Sequence, residues 1–305
     1  MSGCDLVAGI DIGGTNVKAG IVDLATNEVL ASCDFPTVRD SEQAFLESLA
    51  AAVAQLSAQA DAPRAAGISI GSYVFSDGSI DGMSSFVPFL THGYPLAERI
   101  GGALGLPVRV DNDARLICLA EARDGAGQGF SRVLTLTLGT GIGVGLCEDG
   151  RPFGGEPFIH LAGHVKVRTG GEYPCLDAEP CYCGMEGCFE STCSGTSLQV
   201  YVHDRLGADV SNKEMFERAA EGDPAAAEIA DWFLDMLARA LNQYVYLYCP
   251  DVIVIGGGVA KGLERYESDL NDRLVAEVYE GQRTVVRITD LKEDSGILGA
   301  ASLFA

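Results

Sequence analysis

Positive charge is scarce in this chain: 21 Lys and Arg stand against 43 Asp and Glu, a formal charge of −22. A chain so poor in cations lacks the surface that phosphate backbones and anionic lipids require, which excludes a general nucleic-acid binder and a protein that docks on acidic membranes. No apolar stretch approaches the roughly 20 residues that span a bilayer. No basic segment followed by an apolar core precedes Leu6, so a cytoplasmic location is expected. Neither Gly-x4-Gly-Lys-Ser/Thr nor Gly-x-Gly-x-x-Gly occurs, so there is no Walker loop and no dinucleotide fingerprint. Tryptophan is limited to Trp232, most simply a core residue, and no low-complexity linker interrupts the chain.

What is present starts with size. Over 305 residues, 47% of them hydrophobic, the chain can bury a substantial core in one large domain or two smaller ones, and two lobes are preferred. Ten cysteines in a long chain without a secretory leader are expected as reduced thiols. Cys175, Cys181, Cys183, Cys188 and Cys193 crowd one short interval, while the others lie in apolar runs as small core hydrophobes.

The opening residues read as three strands, Leu6 to Ile10, Val17 to Val22 and Val29 to Phe35, joined as an antiparallel meander. Asp40 and Gln43 fit a capping box ahead of a helix through Ala58, with Phe45, Leu49, Val53 and Leu56 on one face. A strand Ala66 to Ile70, a helix Pro95 to Leu104 and a strand Val108 to Val110 follow, and Asp113 opens a helix to Arg123. The second half repeats the theme around Val133 to Leu138 and Gly143 to Cys147. An irregular stretch, Gly154 to Gly187, comes next, then a helix Pro224 to Tyr248, strands Val252 to Ile255 and Val285 to Ile288, and a terminal helix Ile297 to Phe304. Two halves with the same order predict two related α/β lobes with a cleft between them: a small lobe of 1–113 plus about 290–305, and a large lobe of 114–289.

Both halves open on a glycine-rich hairpin. Asp11-Ile12-Gly13-Gly14-Thr15-Asn16-Val17-Lys18 and Gly139-Thr140-Gly141 each sit between strands, where glycine permits positive φ and backbone N–H groups can close on phosphate oxygens. Asp11 ends its strand, where it could orient a hydrated Mg²⁺, and Lys18 supplies a local cation. Between the loops, Asn112-Asp113 marks a strand-to-helix corner. Two phosphate loops and one carboxylate form the plan of a kinase, with Asp113 accepting a hydroxyl proton as attack proceeds and Asn112 beside it for a sugar hydroxyl.

Cys181-x-Cys183-x4-Cys188 with His164 upstream has the donor set of a closed tetrahedral Zn²⁺ site, with Cys175 and Cys193 as competing ligands. A filled shell leaves no water to activate, so the metal is read as structural.

Together these motifs resemble the ROK family, named for repressors, open reading frames and sugar kinases, across essentially the whole chain. The resemblance implies an actin-like, ribonuclease H-like fold. It also implies MgATP-dependent phosphorylation of a hexose or hexose derivative, usually on the 6-hydroxyl, by a homodimer with Asp113 as base. Gly256-Gly257-Gly258 corresponds to the adenosine side, and Asn112, Asp113, His164 and Glu190 to sugar contacts, with Ser72 in the segment beside the sugar. Two segments depart from the pattern. Leu161 stands where the family's glucokinases carry a sugar-binding Glu, and Gly71-Ser72-Tyr73-Val74-Phe75 replaces Gly-x-Pro-Gly-x-Val, which disfavours plain glucose. The same family includes sugar-responsive repressors, but the first strand begins by Leu6 with no room for a DNA-binding domain ahead of it. A sugar-binding protein without catalysis is the other alternative.

Overall fold

A computed structural model describes residues 5–82, 87–153, 158–277, 281, 283–291 and 294–305. In chain order the strands are β1 (Leu6–Ile12), β2 (Asn16–Asp23), β3 (Glu28–Pro36), β4 (Ala65–Ile70), β5 (Val108–Asn112), β6 (Arg132–Leu138), β7 (Ile142–Glu148), β8 (Arg151–Pro152), β9 (Val252–Gly256) and β10 (Val285–Ile288). The helices are α1 (Glu42–Ser57), α2 (Leu96–Leu104), α3 (Asp113–Asp124), α4 (Pro174–Asp177), α5 (Glu190–Cys193), α6 (Gly195–Leu206), α7 (Asn212–Glu221), α8 (Pro224–Tyr248), α9 (Ala260–Leu263), α10 (Glu267–Glu277) and α11 (Ser295–Ala301). The start of the irregular stretch expected from Gly154 lies outside the described residues. Among those described, no helix is long and apolar enough to cross a membrane.

The chain divides into two compact units. One comprises Met1–Gly125, Gly150–Phe158 and Leu291–Ala305; the other comprises Ala126–Asp149 and Ile159–Asp290. In the first, the sheet order is β3-β2-β1-β4-β5, with antiparallel pairing in the meander and β4 and β5 added in parallel. The second repeats the plan: β6 and β7 form the antiparallel hairpin, and β9 and β10 are added in parallel, giving β10-β9-β6-β7. All six residues of β4 and all five of β9 are buried, as continuous apolar runs in parallel strands require.

α3 lies in the first unit, past the boundary expected after Asp113. The reason is α11, which packs on both α3 and β1. Its backbone comes so close that a Cβ on Gly9 would stand 2.1 Å from the Ile297 carbonyl oxygen, and one on Gly67 1.8 Å from that of Ala300. Only glycine permits this approach, and it draws the last residues of the chain into the first core. α1 begins one residue later than the capping-box reading places it: Ser41, not Asp40, is the N-cap, its hydroxyl accepting from Ala44 N–H. α11 ends at Ala301 and continues as a short 3₁₀ turn to Phe304.

Candidate active site

In the first unit, the β1–β2 hairpin is tied down through its carbonyls. Gly13 N–H donates to Asn16 O at 3.1 Å, Thr37 Oγ1 to Gly13 O at 2.7 Å, Thr37 N–H to Thr15 O at 2.8 Å, and Arg39 to Gly14 O. The N–H groups of Gly14 and Thr15 donate to no described residue, so the loop presents donors outward, as an anion nest does. Arg39 is an exposed cation at this loop that the sequence did not reveal, because it arrives from beyond β3.

Asp11 sits at the end of β1 opposite Lys18, and its Oδ1 accepts from Ser69 Oγ at 2.5 Å. Burial pushes its carboxyl above the usual range, Ser69 opposes the shift, and the like charge of Asp113 adds to it. A carboxylate so placed is relieved by a divalent cation, so Asp11 and its surroundings fit the Mg²⁺ expected there.

The Asn112–Asp113 corner is braced on several sides. Asn112 is the N-cap of α3: its Oδ1 accepts from Ala114 and Arg115 N–H, and its Nδ2 donates to Ser72 O at 3.2 Å. At 2% exposure, Asn112 caps α3 through Oδ1 and is braced through one of its two Nδ2 hydrogens. Ser72, 1% exposed, is also engaged internally, donating to Asp81 Oδ1 at 2.7 Å and accepting from Gly82 N–H at 3.2 Å. Asp113 is half-buried, its Oδ1 accepting from Ala114 N–H at 2.7 Å at the positive end of α3. Gly71 lies beside it, where a Cβ would be 3.3 Å from Oδ2. Beneath the corner, Asp111 Oδ1 accepts both Asn112 N–H at 2.7 Å and Arg115 Nε at 2.9 Å, and Arg115 Nη1 donates to Phe153 O at 3.4 Å. This buried ion pair, with side-chain exposures of 7% and 14%, was not legible as a brace in the sequence.

In the second unit, the Gly139-Thr140-Gly141 turn is closed by Gly139 N–H to Gly141 O at 3.0 Å, and Gly139 O accepts from Gly195 N–H, at the start of α6, at 2.7 Å. Thr140 and Gly141 N–H donate to no described residue. Glu190 reaches this turn from α5, its Oε2 accepting Ile142 N–H at 2.9 Å. Gly257, at φ +88°, passes so close to β6 that a Cβ would be 2.6 Å from Leu138 O. That approach brings Gly258 and Val259 to the lip of a cavity of about 1180 Å³, along with Gly139, Thr140, Gly195 and Phe216. Its wall is of mixed charge: Lys213, Lys261 and Arg265 stand with Glu217, Glu221 and Glu264, and Lys213 pairs with Glu217 at 3.6 Å. Lys213 comes from α7, while Lys261 and Arg265 lie four residues apart on α9 and the turn that follows it.

The Cys-rich segment is held by α8. Tyr244, fully buried, donates to Ala162 O at 2.6 Å, Arg239 Nη1 to Val167 O at 3.3 Å and Gln243 Nε2 to Lys166 O at 2.9 Å, while Val167 N–H to Gly187 O and Phe189 N–H to Val165 O pair the two flanks. This brings His164, Cys181, Cys183 and Cys188 together, with all four ligand atoms within 4.8 Å of one another. His164 Nδ1 faces Cys188 Sγ at 3.4 Å and Cys181 Sγ at 3.6 Å. A zinc tetrahedron with bonds of about 2.3 Å to sulfur has sulfurs nearly 4 Å apart, so donor chemistry and spacing both fit Zn²⁺. Burial pushes Cys181 up, and Cys188 up to about 12. For Cys183 burial is outweighed by Met185 N–H and the two neighbouring thiols, which favour its thiolate. Cys175 and Cys193 stand outside the cluster, Cys193 as a fully buried core residue. His164 Nε2 is not open: Tyr182 Oη lies 2.7 Å away.

A profile of the ROK family matches residues 7–305. The chain is 31% identical to a glucokinase of Thermotoga maritima over 97% of its length and 96% of the relative's. It is 33% identical to an N-acetyl-D-glucosamine kinase of Escherichia fergusonii, over 97% and 98%. Among solved structures, a ROK family glucokinase from Streptomyces griseus in complex with glucose and AMPPNP superposes with a TM-score of 0.78 at 28% identity, covering 98% of each chain.

Proposed function

The chain belongs to the ROK family, and from that premise we propose that it is an ATP-dependent kinase that phosphorylates a hexose or hexose derivative on the 6-hydroxyl, with Asp113 as general base. One observation carries this reading: a half-buried carboxylate at the first turn of α3, on a corner locked by the Asn112 cap and closely flanked by Gly71. Asp113 accepts the hydroxyl proton as the sugar oxygen attacks the γ-phosphorus, and the bond to the leaving ADP oxygen breaks. The N–H groups of Gly14, Thr15, Thr140 and Gly141 offer donors to the phosphates, and the cavity beside Gly258 has room for adenosine. Asp11 would hold a Mg²⁺, which would neutralise charge on the phosphates.

His164, Cys181, Cys183 and Cys188 would hold a structural Zn²⁺ with no open position. Their task is to fix the turn that carries His164 and to set Glu190, whose Oε2 is on Ile142 N–H, close to the second phosphate loop. His164 and Glu190, with Asn112, Asp113 and Ser72, are the sugar contacts of this reading. Leu161, apolar and 42% exposed, supplies no acceptor, which favours a sugar other than plain glucose.

Asp113→Asn tests the role of the base. The amide preserves shape but cannot take the proton, so turnover should fall about 10²–10⁴-fold with sugar and ATP affinities nearly unchanged. Turnover close to that of the parent protein at saturating substrates would remove Asp113 from the mechanism.

A further inference from the structure

Tyr182 is a large aromatic side chain left 78% exposed, and its neighbourhood explains why it stays ordered there. The residue is tethered between Cys181 and Cys183, in a turn closed by Gly184 N–H to Cys181 O at 2.9 Å. Its ring stands edge-on to the His164 imidazole, with centroids 4.8 Å apart and planes at 82°. Its hydroxyl lies 2.7 Å from Nε2. With Nδ1 turned toward two thiols, Nε2 is the outward nitrogen of that imidazole. An imidazole that ligates through Nδ1 carries its proton on Nε2 and donates it. A hydroxyl that accepts this proton does what a sugar hydroxyl would do.

We propose that Tyr182 sets sugar affinity by occupying, in the sugar-free protein, the hydrogen-bonding position on His164 taken by the substrate. This inference rests on the reading of His164 as a sugar contact. Sugar binding displaces the phenol from Nε2, and only the fraction of molecules with Tyr182 swung away is competent, so apparent affinity is reduced by that fraction. Leu161, whose carbonyl accepts His164 N–H at 3.0 Å, is exposed on the same segment, so a sugar that bears an apolar substituent regains contact area where a plain hexose does not.

The test is titration calorimetry on the full, zinc-loaded chain and its Tyr182→Phe variant, with glucose and N-acetylglucosamine as probes and zinc content measured in both. The variant keeps the ring and removes the competing hydroxyl. Expected is unchanged zinc content and about two- to tenfold tighter binding, the worth of one neutral hydrogen bond, for whichever probe binds. If Tyr182 merely supports the metal turn, the variant loses zinc and binds sugar more weakly or equally, and the proposal is overturned. Equal affinities with full zinc also overturn it while leaving the kinase reading intact. Binding of neither probe by either protein removes the sugar contact on which both rest.

Discussion

The rigidity of Asp113 depends on the residues that hold its corner. Asp111 receives Asn112 N–H and the Arg115 guanidinium on the same oxygen, so strand end and first helical turn share one buried carboxylate. Arg115→Met leaves that carboxylate without its partner, at a cost of about 3–5 kcal/mol in stability. Urea denaturation should show this. Below the transition, kcat should fall more than KM for ATP rises, because a displaced base is a transition-state loss. The sequence showed Asp113 and Asn112 as a pair but not their division of labour. Asn112 also caps α3, and Ser72 also braces its loop. These second roles depend on neighbours 40 and 10 positions away, Ser72 for Asn112 and Gly82 for Ser72, which no local pattern contains.

At the level of elements, two turns control the second unit. Gly257 holds φ +88° against β6, so Gly257→Ala should cost about 1–3 kcal/mol of backbone strain beyond the clash with Leu138. Because Gly258 and Val259 follow directly, KM for ATP should rise while KM for the sugar changes little, as steady-state kinetics would show. The Cys-rich segment depends on Arg168, buried, which donates to Thr192 Oγ1 and pairs with Asp177 at 2.8 Å. The Arg168 hydrogen bond holds the Asp177 carboxyl below the usual range. A depressed native pKa stabilises the fold above the unfolded value of about 4 and loses that contribution as pH falls through the native one. Asp177→Asn should therefore cost about 1.5–3 kcal/mol at pH 7, and the difference should vanish toward pH 2 in denaturant titrations. Element existence was readable because apolar period and turn residues agree along each segment, as in β1 to β3 and α8. Caps were read less well: Asp40 and Ser41 are both ordinary N-cap residue types, and it is Ser41 that caps α1.

For the whole molecule, the repeated hairpin and parallel-strand order made two α/β units legible, since each strand carries its own glycine loop or helix-linked crossover. The extent of the first unit was less so, because α3 is bound to it by α11, whose contacts with Gly9 and Gly67 join residues nearly 300 and more than 200 positions apart. The cavity beside Gly258 was hidden for the same reason: Gly139, Gly195, Lys213 and Gly258 meet only in the fold. With a net charge of −22, the polyanionic substrate of the proposed reaction would be repelled at long range and held by local contacts. ATP affinity should then improve as moderate salt screens that field, until the local contacts themselves weaken. The most direct measurement is sugar-dependent ATP turnover by the purified protein across a panel of hexoses, N-acetylhexosamines and epimers, with the phosphorylated position assigned by NMR. One sugar converted stoichiometrically with ATP, carrying phosphate on O6, is the expected result; ATP turnover that no sugar stimulates, or phosphate on another oxygen, would contradict it.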